Sequence, residues 1–362
     1  MAKKSDPKAA EQLCDRGWEQ LEDDDLEAAI QSGEAALKHR PDLVEAHTLL
    51  GAARWRGGDV EGAEGAFRAA LELEEEDVPA LLYLAELLLR EASRALGDDG
   101  DADEAAVTGA TEDVEEALEL VDRALDVADE EGDAIDGQLL RAEALMVLER
   151  EAEAKEALDD LPEGEYPDPD LHLRAGQLLL EAEMFDASEA QLRRALDEND
   201  DDADAWHAMG CVHEARGDDA KMIEAWKRVR ALDLSAPAAP WSMTKDEFDA
   251  VAEAALGELP PRARELLGNV PILGADYPEE HVVEDGWDPR ILGLFTGVPY
   301  PHKSSSTGTP PHLDTVLLFQ RNIENACASR AEVEAQIRIT VLHETGHFFG
   351  LEEDDLHAMG LG

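Results

Sequence analysis

Two histidines four residues apart, with a glutamate directly after the first, carry the most specific chemistry in the sequence. The segment is His343-Glu344-Thr345-Gly346-His347. On a helix, residues four apart lie on one face about one turn apart, so both imidazoles can bind a single Zn²⁺ ion. A glutamate beside the first histidine can reach a water molecule at that ion and accept its proton. The spacing therefore predicts a catalytic zinc site with Glu344 as the general base.

A third protein ligand is expected shortly after His347, because catalytic zinc takes three protein ligands and keeps one position open. Gly350 suits a sharp helix end, and the acidic run Glu352 to Asp355 follows it. Zinc peptidases with a short spacer place the third ligand six residues after the second histidine. This spacing predicts Glu353, with Asp354 as the alternative. An acidic tail without a metal role is the competing interpretation of the run.

The zinc motif is expected on a long helix. Ser329-Arg330-Ala331-Glu332 has the spacing of a capping box, in which the side chains of the first and last residues satisfy backbone N–H groups at a helix start. Val333, Ile337 and Val341 follow at helical spacing, and the pattern continues to Phe349. The sequence therefore predicts one helix that packs its apolar face inward and carries both histidines near its end.

The chain before this helix predicts an α+β domain. Helical periodicity runs from Asp246 to Leu256, and a second short helix is expected beyond it. Val270 to Leu273 and Thr315 to Phe319 are apolar or β-branched runs bounded by Pro, Gly and Asp, so they are predicted strands. The polar, glycine-rich stretch from Pro299 to His312 is a predicted loop.

Two further features lie near the predicted site, a pair of loop histidines and a strand. His302 and His312 lie in the predicted loop and are interpreted as solvated residues rather than metal ligands. The strand Thr315 to Phe319 is expected to pair with an extended substrate by edge addition, which would give sequence-tolerant binding.

The first two thirds of the chain repeat with a period of 34 residues, the mark of stacked helical hairpins. Gly17 recurs as Gly51, and Gly176 recurs as Gly210, each 34 positions on. These small residues, with large apolar ones between them, resemble the tetratricopeptide repeat family over about residues 8 to 234. The resemblance implies an all-α solenoid that binds a protein or peptide on one side. The sequence does not identify that partner.

Two irregular stretches divide the chain. An Asp- and Gly-rich insert near residues 97–113 interrupts the third repeat and is predicted to be a flexible acidic loop. An Ala/Pro-rich segment at residues 236–245 is a predicted linker. We therefore expect a helical-repeat domain over residues 1–235 and a second domain over residues 246–362.

Composition narrows the classes of function. The net charge is −55, from 86 acidic and 31 basic side chains, which repels nucleic acid and anionic membranes. The charge suits either a basic partner or adaptation to high salt.

No signal-peptide pattern or membrane-length apolar run is present, so we expect a cytoplasmic protein. The three cysteines are far apart and outside any CxxC spacing, which indicates neither disulfides nor a cysteine zinc site.

The second domain resembles the small bacterial zincin-like metallopeptidases, also called minimal metalloproteases, over about residues 246–356. The resemblance implies a compact fold with the zinc helix near its C-terminal end and the strand before that helix lining a cleft. One position departs from the family, which usually has Asp in the place of Glu353. The matching positions are Phe248, Leu259-Pro260, Asn269-Val270-Pro271, Leu292 to Gly297, Val316 to Phe319, His343 to Leu351 and Asp355-Leu356.

Together these patterns predict a zinc-dependent peptidase that hydrolyses a peptide bond in a peptide or protein substrate. Zn²⁺ is the expected cofactor, bound by His343, His347 and either Glu353 or Asp354. The repeat domain is expected to bind a protein or peptide. The alternative is a repeat-based adaptor with no catalysis, whose zinc site is structural or degenerate.

Overall fold

The computed structural model describes residues 7–96, 104–268, 270–297, 314–352, 355–356 and 359. The chain divides into two compact units, and the division falls after Ala195. None of the helices within these described residues is long and apolar enough to cross a membrane.

Twelve consecutive helices of the described residues form six helical hairpins. The first five hairpins make up the first unit, apart from the end of α10, and the sixth belongs to the second unit. The prediction of an all-α repeat array is confirmed. The helices are α1 Pro7–Glu22, α2 Leu26–His39, α3 Val44–Arg56, α4 Val60–Leu73, α5 Val78–Leu96, α6 Glu104–Val127, α7 Glu131–Val147, α8 Glu151–Asp159, α9 Asp170–Glu181, α10 Phe185–Glu198, α11 Ala203–Ala215 and α12 Asp219–Ser235.

The predicted 34-residue period corresponds to a close contact between the two helices of a hairpin. A methyl group at Gly51 of α3 would overlap the ring of Phe67 on α4. Gly210 on α11 stands in the same relation to Trp226 on α12. Phe67 and Trp226 are almost completely buried. The missing side chain on one helix therefore makes room for a large one on its partner, which holds the hairpin closed.

The acidic insert is shorter than predicted. We expected a loop over residues 97–113, but α6 begins at Glu104, so its last ten residues are helical. Glu104, Ala105 and Ala106 are good helix formers. The helix also buries Ala110 and Val114 in the core of the first unit. Tertiary burial extends α6 backwards into a stretch that composition alone assigned to a loop.

The second unit continues after α12 with a small α+β fold, which confirms the predicted fold class. A three-stranded sheet has the order β1-β3-β2, with β1 parallel and β2 antiparallel to β3. The boundary of the domains at residues 236–245 stays a prediction. The elements are α13 Lys245–Glu258, α14 Pro261–Leu267, β1 Ile272–Ala275, α15 Glu280–Glu284, β2 Gly293–Thr296, β3 Thr315–Phe319, α16 Gln320–Asn325 and α17 Arg330–Phe349.

β3 packs against apolar clusters on both of its faces. Val316 and Leu318 of β3 pack into a core with Phe248 of α13 and with Ile337 and Val341 of α17. Phe319, the last residue of β3, packs with Val282 and Leu294 in a second cluster. Successive side chains of β3 point to opposite faces of the strand, so they belong to two different apolar clusters.

The expected role of β3 in substrate pairing is wrong. We predicted that this strand would offer a free edge, but β1 and β2 occupy both of its sides. The short strand β2, which was not predicted, occupies one outer position in the sheet. Its four residues include one glycine and follow another turn-like segment, so periodicity gave too weak a signal.

We expect Gly51→Ala to lower the unfolding midpoint of the first unit. The added methyl group would overlap the Phe67 ring, and overpacking of this kind costs about 1–3 kcal/mol. Gly65→Ala is the matched control, because Gly65 lies exposed within α4 and an added Cβ there meets no atom within 4 Å. Alanine is the better helix former, so this variant should be as stable as the parent or more stable by about 1 kcal/mol or less. Thermal unfolding followed by circular dichroism compares the two variants. Equal unfolding midpoints would contradict the proposed close contact between Gly51 and Phe67.

Candidate functional site

The helix α17 carries the predicted zinc motif and is fixed by its opposite face. Val333, Ile337 and Val341 are completely buried, as is Phe348. Ser329 caps the helix, since its hydroxyl accepts a hydrogen bond from the backbone N–H of Glu332. The predicted helix is therefore confirmed within one residue at each end. A helix anchored along its length in this way holds the residues on its other face in a fixed register.

His343 and His347 lie together on the outer face of α17. Their Nε2 atoms are 3.0 Å apart, and the two ring planes meet at 79°. Two imidazole nitrogens that bind one tetrahedral zinc ion, each at about 2.0–2.1 Å, stand about 3.3 Å apart. The observed separation is within a few tenths of an ångström of that value. The pair therefore fits a shared metal ion without a change of rotamer.

A turn after α17 orients the second histidine. Gly350 has a φ of 80°, in the left-handed region, and the chain reverses there. The reversal brings the carbonyl oxygen of Leu351 to 3.1 Å from Nδ1 of His347. A carbonyl only accepts hydrogen bonds, so Nδ1 must carry the proton and Nε2 is left with its lone pair. The backbone thus selects the tautomer of His347 that can bind a metal through Nε2.

Glu344 lies beside the two histidines and is 6% exposed. It packs against the backbone of β2, where a Cβ on Gly293 would come within 2.8 Å of Oε1 of Glu344. A larger residue at this point of β2 would displace the carboxylate. The close approach of strand and helix therefore depends on glycine at position 293.

A cavity of about 410 Å³ adjoins both histidines and Glu344. One wall is α17 and the other is the segment that leads into β2, rather than β3 as the resemblance implied. Most of the wall is apolar, and polar groups are concentrated at the motif. This combination of an apolar cleft and a few convergent polar groups is typical of a substrate site. Its lining includes Trp287, Ile291, Leu292, Phe295 and Ile339.

Several predicted residues cannot be compared with the structure. Glu353 and Asp354, the two candidates for the third ligand, lie outside the described residues, as do His302 and His312. Glu352 is described and is exposed, while Leu356 is buried and contacts the position of Gly346. Leu351 and Leu356, before and after the candidates, both contact α17.

The cavity wall is held by contacts that sequence reasoning missed. Arg290 binds Asp233 of α12 through two contacts of 3.1 and 3.3 Å, and its remaining nitrogen binds Asp204 of α11 at 2.6 Å. Asn322 of α16 donates hydrogen bonds to the carbonyl oxygens of Pro289 and Ile291 at 2.8 and 2.7 Å. These side chains fix the backbone just before β2. No spacing in the sequence links partners so far apart, so single-sequence patterns carry no signal for them.

The comparison with protein families concerns this same region. Residues 267–362 match the family model of the zincin-like metallopeptidases. The match includes α17, β2, β3 and the cavity wall, and it confirms the resemblance drawn from the sequence. No curated protein matches the chain.

Solved structures resemble the helical part of the chain. A structure of PilF from Pseudomonas aeruginosa has a TM-score of 0.49 and 14% identity, and it covers 63% of this chain and 94% of its own. The tetratricopeptide repeat protein TTC0263 from Thermus thermophilus has a TM-score of 0.45 and 19% identity, with coverage of 56% and 99%.

We expect Asp233→Asn to destabilise the second unit. Asp233 is buried and neutralises Arg290, so its loss leaves a guanidinium without its main carboxylate and costs about 1–3 kcal/mol. Asp204→Asn is the matched control, because this side chain is 61% exposed and surface ion pairs contribute about 0–1 kcal/mol. Urea unfolding monitored by tryptophan fluorescence measures both. A larger loss of stability in Asp204→Asn than in Asp233→Asn would contradict the role of Asp233 as the main carboxylate partner of Arg290.

Proposed function

We propose that this protein is a zinc-dependent peptidase whose active site is formed by His343, His347 and Glu344. One observation carries the proposal. Two imidazole nitrogens meet at 3.0 Å next to a buried carboxylate, at the edge of an apolar cavity. The family match over residues 267–362 supports the same function. A purely structural metal site has no use for a carboxylate base beside its first ligand.

The two histidines would bind the metal through Nε2. When bound, Zn²⁺ supplies a Lewis acid that polarises a carbonyl group and lowers the pKa of water to about 7. The hydrogen bond from Nδ1 of His347 to Leu351 keeps that ring in the ligating tautomer and orientation. Glu353 is proposed as the third ligand, with Asp354 as the alternative, on the spacing of the sequence.

Glu344 would act as the general base. Its carboxylate accepts a proton from the attacking water and then donates it to the amine that leaves. Burial against Gly293 keeps the side chain at the cavity instead of in bulk solvent. Restricting a base to one position in this way lowers the entropic cost of reaching the transition state.

The cavity suggests how an extended peptide would bind. β2 has one side that is not paired with any strand among the described residues, and its residues line the cavity. An extended peptide could add to that side through backbone hydrogen bonds. The apolar lining, which includes Trp287 and Phe295, would then favour apolar side chains in the substrate. We further propose that the repeat array binds a protein or peptide, in keeping with its helical-hairpin architecture.

The first test is metal content. We expect one zinc ion per chain in the purified protein and none in the double variant His343→Ala/His347→Ala, because both proposed imidazole ligands are gone. Inductively coupled plasma mass spectrometry after gel filtration gives the ratio. The single variants Glu353→Ala and Asp354→Ala, measured in parallel, identify the third ligand as the one whose loss weakens zinc binding. Zinc retained in the double variant would refute the site.

The second test separates a peptidase from an adaptor. Glu344→Gln keeps the size of the side chain but cannot accept a proton, so cleavage of a mixed peptide library should fall roughly 10²- to 10⁴-fold while zinc stays bound. Glu334→Gln is the control, since Glu334 is exposed on the same helix and pairs with Arg330 at the surface. An adaptor would cleave no peptide in any form. Equal cleavage by Glu344→Gln and the parent would exclude Glu344 as the base.

A further inference from the structure

A second group of reactive side chains lies in the second unit, away from the proposed zinc site. His207 and Cys211 are one turn apart on α11, and Asp288 follows α15. The sulfur of Cys211 is 3.9 Å from Nδ1 of His207, and Oδ2 of Asp288 is 2.8 Å from Nε2 of the same ring. All three residues are partly buried. A thiol, an imidazole and a carboxylate are thus connected in a row.

The order of the three groups indicates a proton relay. The thiol and the carboxylate contact different nitrogens of the His207 ring. One ligand atom from each of the three residues lies within 4.8 Å of the other two, but a metal ion would be bound by only one ring nitrogen, whereas both nitrogens have a partner here. The row instead has the order nucleophile, base, orienting carboxylate, which is the arrangement that activates nucleophilic side chains. A second hydrogen bond, from the backbone N–H of Arg290 to Oδ1 at 2.7 Å, fixes the Asp288 carboxylate.

The charges of the row favour a cationic ring. Burial lowers the pKa of His207, but hydrogen bonds to Asp288 and Cys211 outweigh it and raise the pKa to about 9. Burial raises the pKa of Asp288, and the His207 partner more than offsets this, so the net shift is downward. At neutral pH the row is therefore an imidazolium held by a carboxylate. Cys211 therefore has a cationic imidazole ring as its hydrogen-bond partner, which is the kind of neighbour found at nucleophilic cysteines.

Within the part of the chain that the structure describes, neither of the other two cysteines has a hydrogen bond to a histidine, so they provide an internal comparison. Cys14 is completely buried, and burial together with Glu45 and Asp15 raises its pKa to about 12. Burial and Glu332 also raise the pKa of Cys327. We therefore expect both thiols to react slowly, since burial among acidic groups disfavours the thiolate. Cys211 is only partly buried, and it packs against a cluster that includes Met222 and Trp226.

We propose that Cys211, His207 and Asp288 form a reactive thiol site whose substrate is a small hydroperoxide. The thiolate attacks the terminal peroxide oxygen, an S–O bond forms and the O–O bond breaks. His207 donates its Nδ1 proton to the leaving oxygen anion, which departs as an alcohol, or as water when the peroxide is hydrogen peroxide. The cysteine is oxidised to sulfenic acid, the peroxide is reduced, and His207 is left neutral beside Asp288. The imidazolium matters because an alkoxide or a hydroxide is a poor leaving group without a proton. This site is independent of the proposed peptidase activity.

The test uses the full-length chain and hydrogen peroxide. After a short exposure, dimedone traps sulfenic acid, and peptide mapping by mass spectrometry measures the adduct at each cysteine. We expect the adduct to form at Cys211 at least about tenfold faster than at Cys14 or Cys327. Asp288→Asn and His207→Gln should each slow the reaction at Cys211 about tenfold or more, because both variants remove the cationic ring. Circular dichroism establishes that each variant is folded.

Asp204→Asn is the control for a general disturbance of this region. It removes another contact made by the segment after α15 but leaves the row intact, so the rate at Cys211 should be unchanged. The proposal is overturned if Cys211 in the folded parent reacts no faster than the other two thiols. It is also overturned if His207→Gln reacts as fast as the parent. A second zinc ion per chain that is lost in Cys211→Ser would assign the three residues to a metal site instead.

Discussion

The approach of two imidazole rings on one helix face is the constraint on which the proposed zinc site depends. With Nε2 atoms 3.0 Å apart, His343 and His347 must share either a proton or a metal ion, because two bare lone pairs would repel each other. The hydrogen bond from His347 to Leu351 already uses the proton of that ring on the other side. This geometry supports the proposed zinc site. The buried face of α17 and the turn at Gly350 hold the two rings in this arrangement.

The opposite wall of the cavity depends on contacts that cross the predicted linker. Arg290 stands three residues before Gly293, and its carboxylate partners belong to α11 and α12, the last helical hairpin. The second compact unit therefore contains that hairpin as well as the sheet and α17. A repeat hairpin that holds the cavity wall is part of the structure of the site.

The sequence predicted the elements whose signals are local. The capping residue Ser329, the apolar spacing through Val341 and the glycine at position 350 specify α17 within a few residues, so the motif was expected on the right helix. The repeat period was visible because a small residue and its bulky partner recur at fixed spacing. These features arise from neighbouring positions along the chain, which single-sequence patterns capture.

What the sequence did not predict arises from tertiary contacts. β2 is four residues long and is held in the sheet by its pairing with β3. A segment this short has no hydrophobic periodicity from which a strand could be predicted. The error about the free edge of β3 has the same origin, since the order of strands is a property of the assembled sheet. The start of α6 was predicted too late in the chain. Burial of Ala110 and Val114 stabilises helix in a segment whose acidic, glycine-rich composition indicated a loop. The acidic candidates Glu353 and Asp354 remain predictions.

The most direct measurement of the central claim is zinc-edge anomalous scattering from crystals of the purified protein. The account predicts one anomalous peak between the two rings, about 2.0–2.1 Å from Nε2 of His343 and of His347. A carboxylate oxygen of Glu353 or Asp354 should be at a similar distance, while Glu344 should face the open coordination position without binding the metal. A peak bound by Glu344, or zinc located elsewhere with the two imidazoles still in mutual contact, would contradict the account.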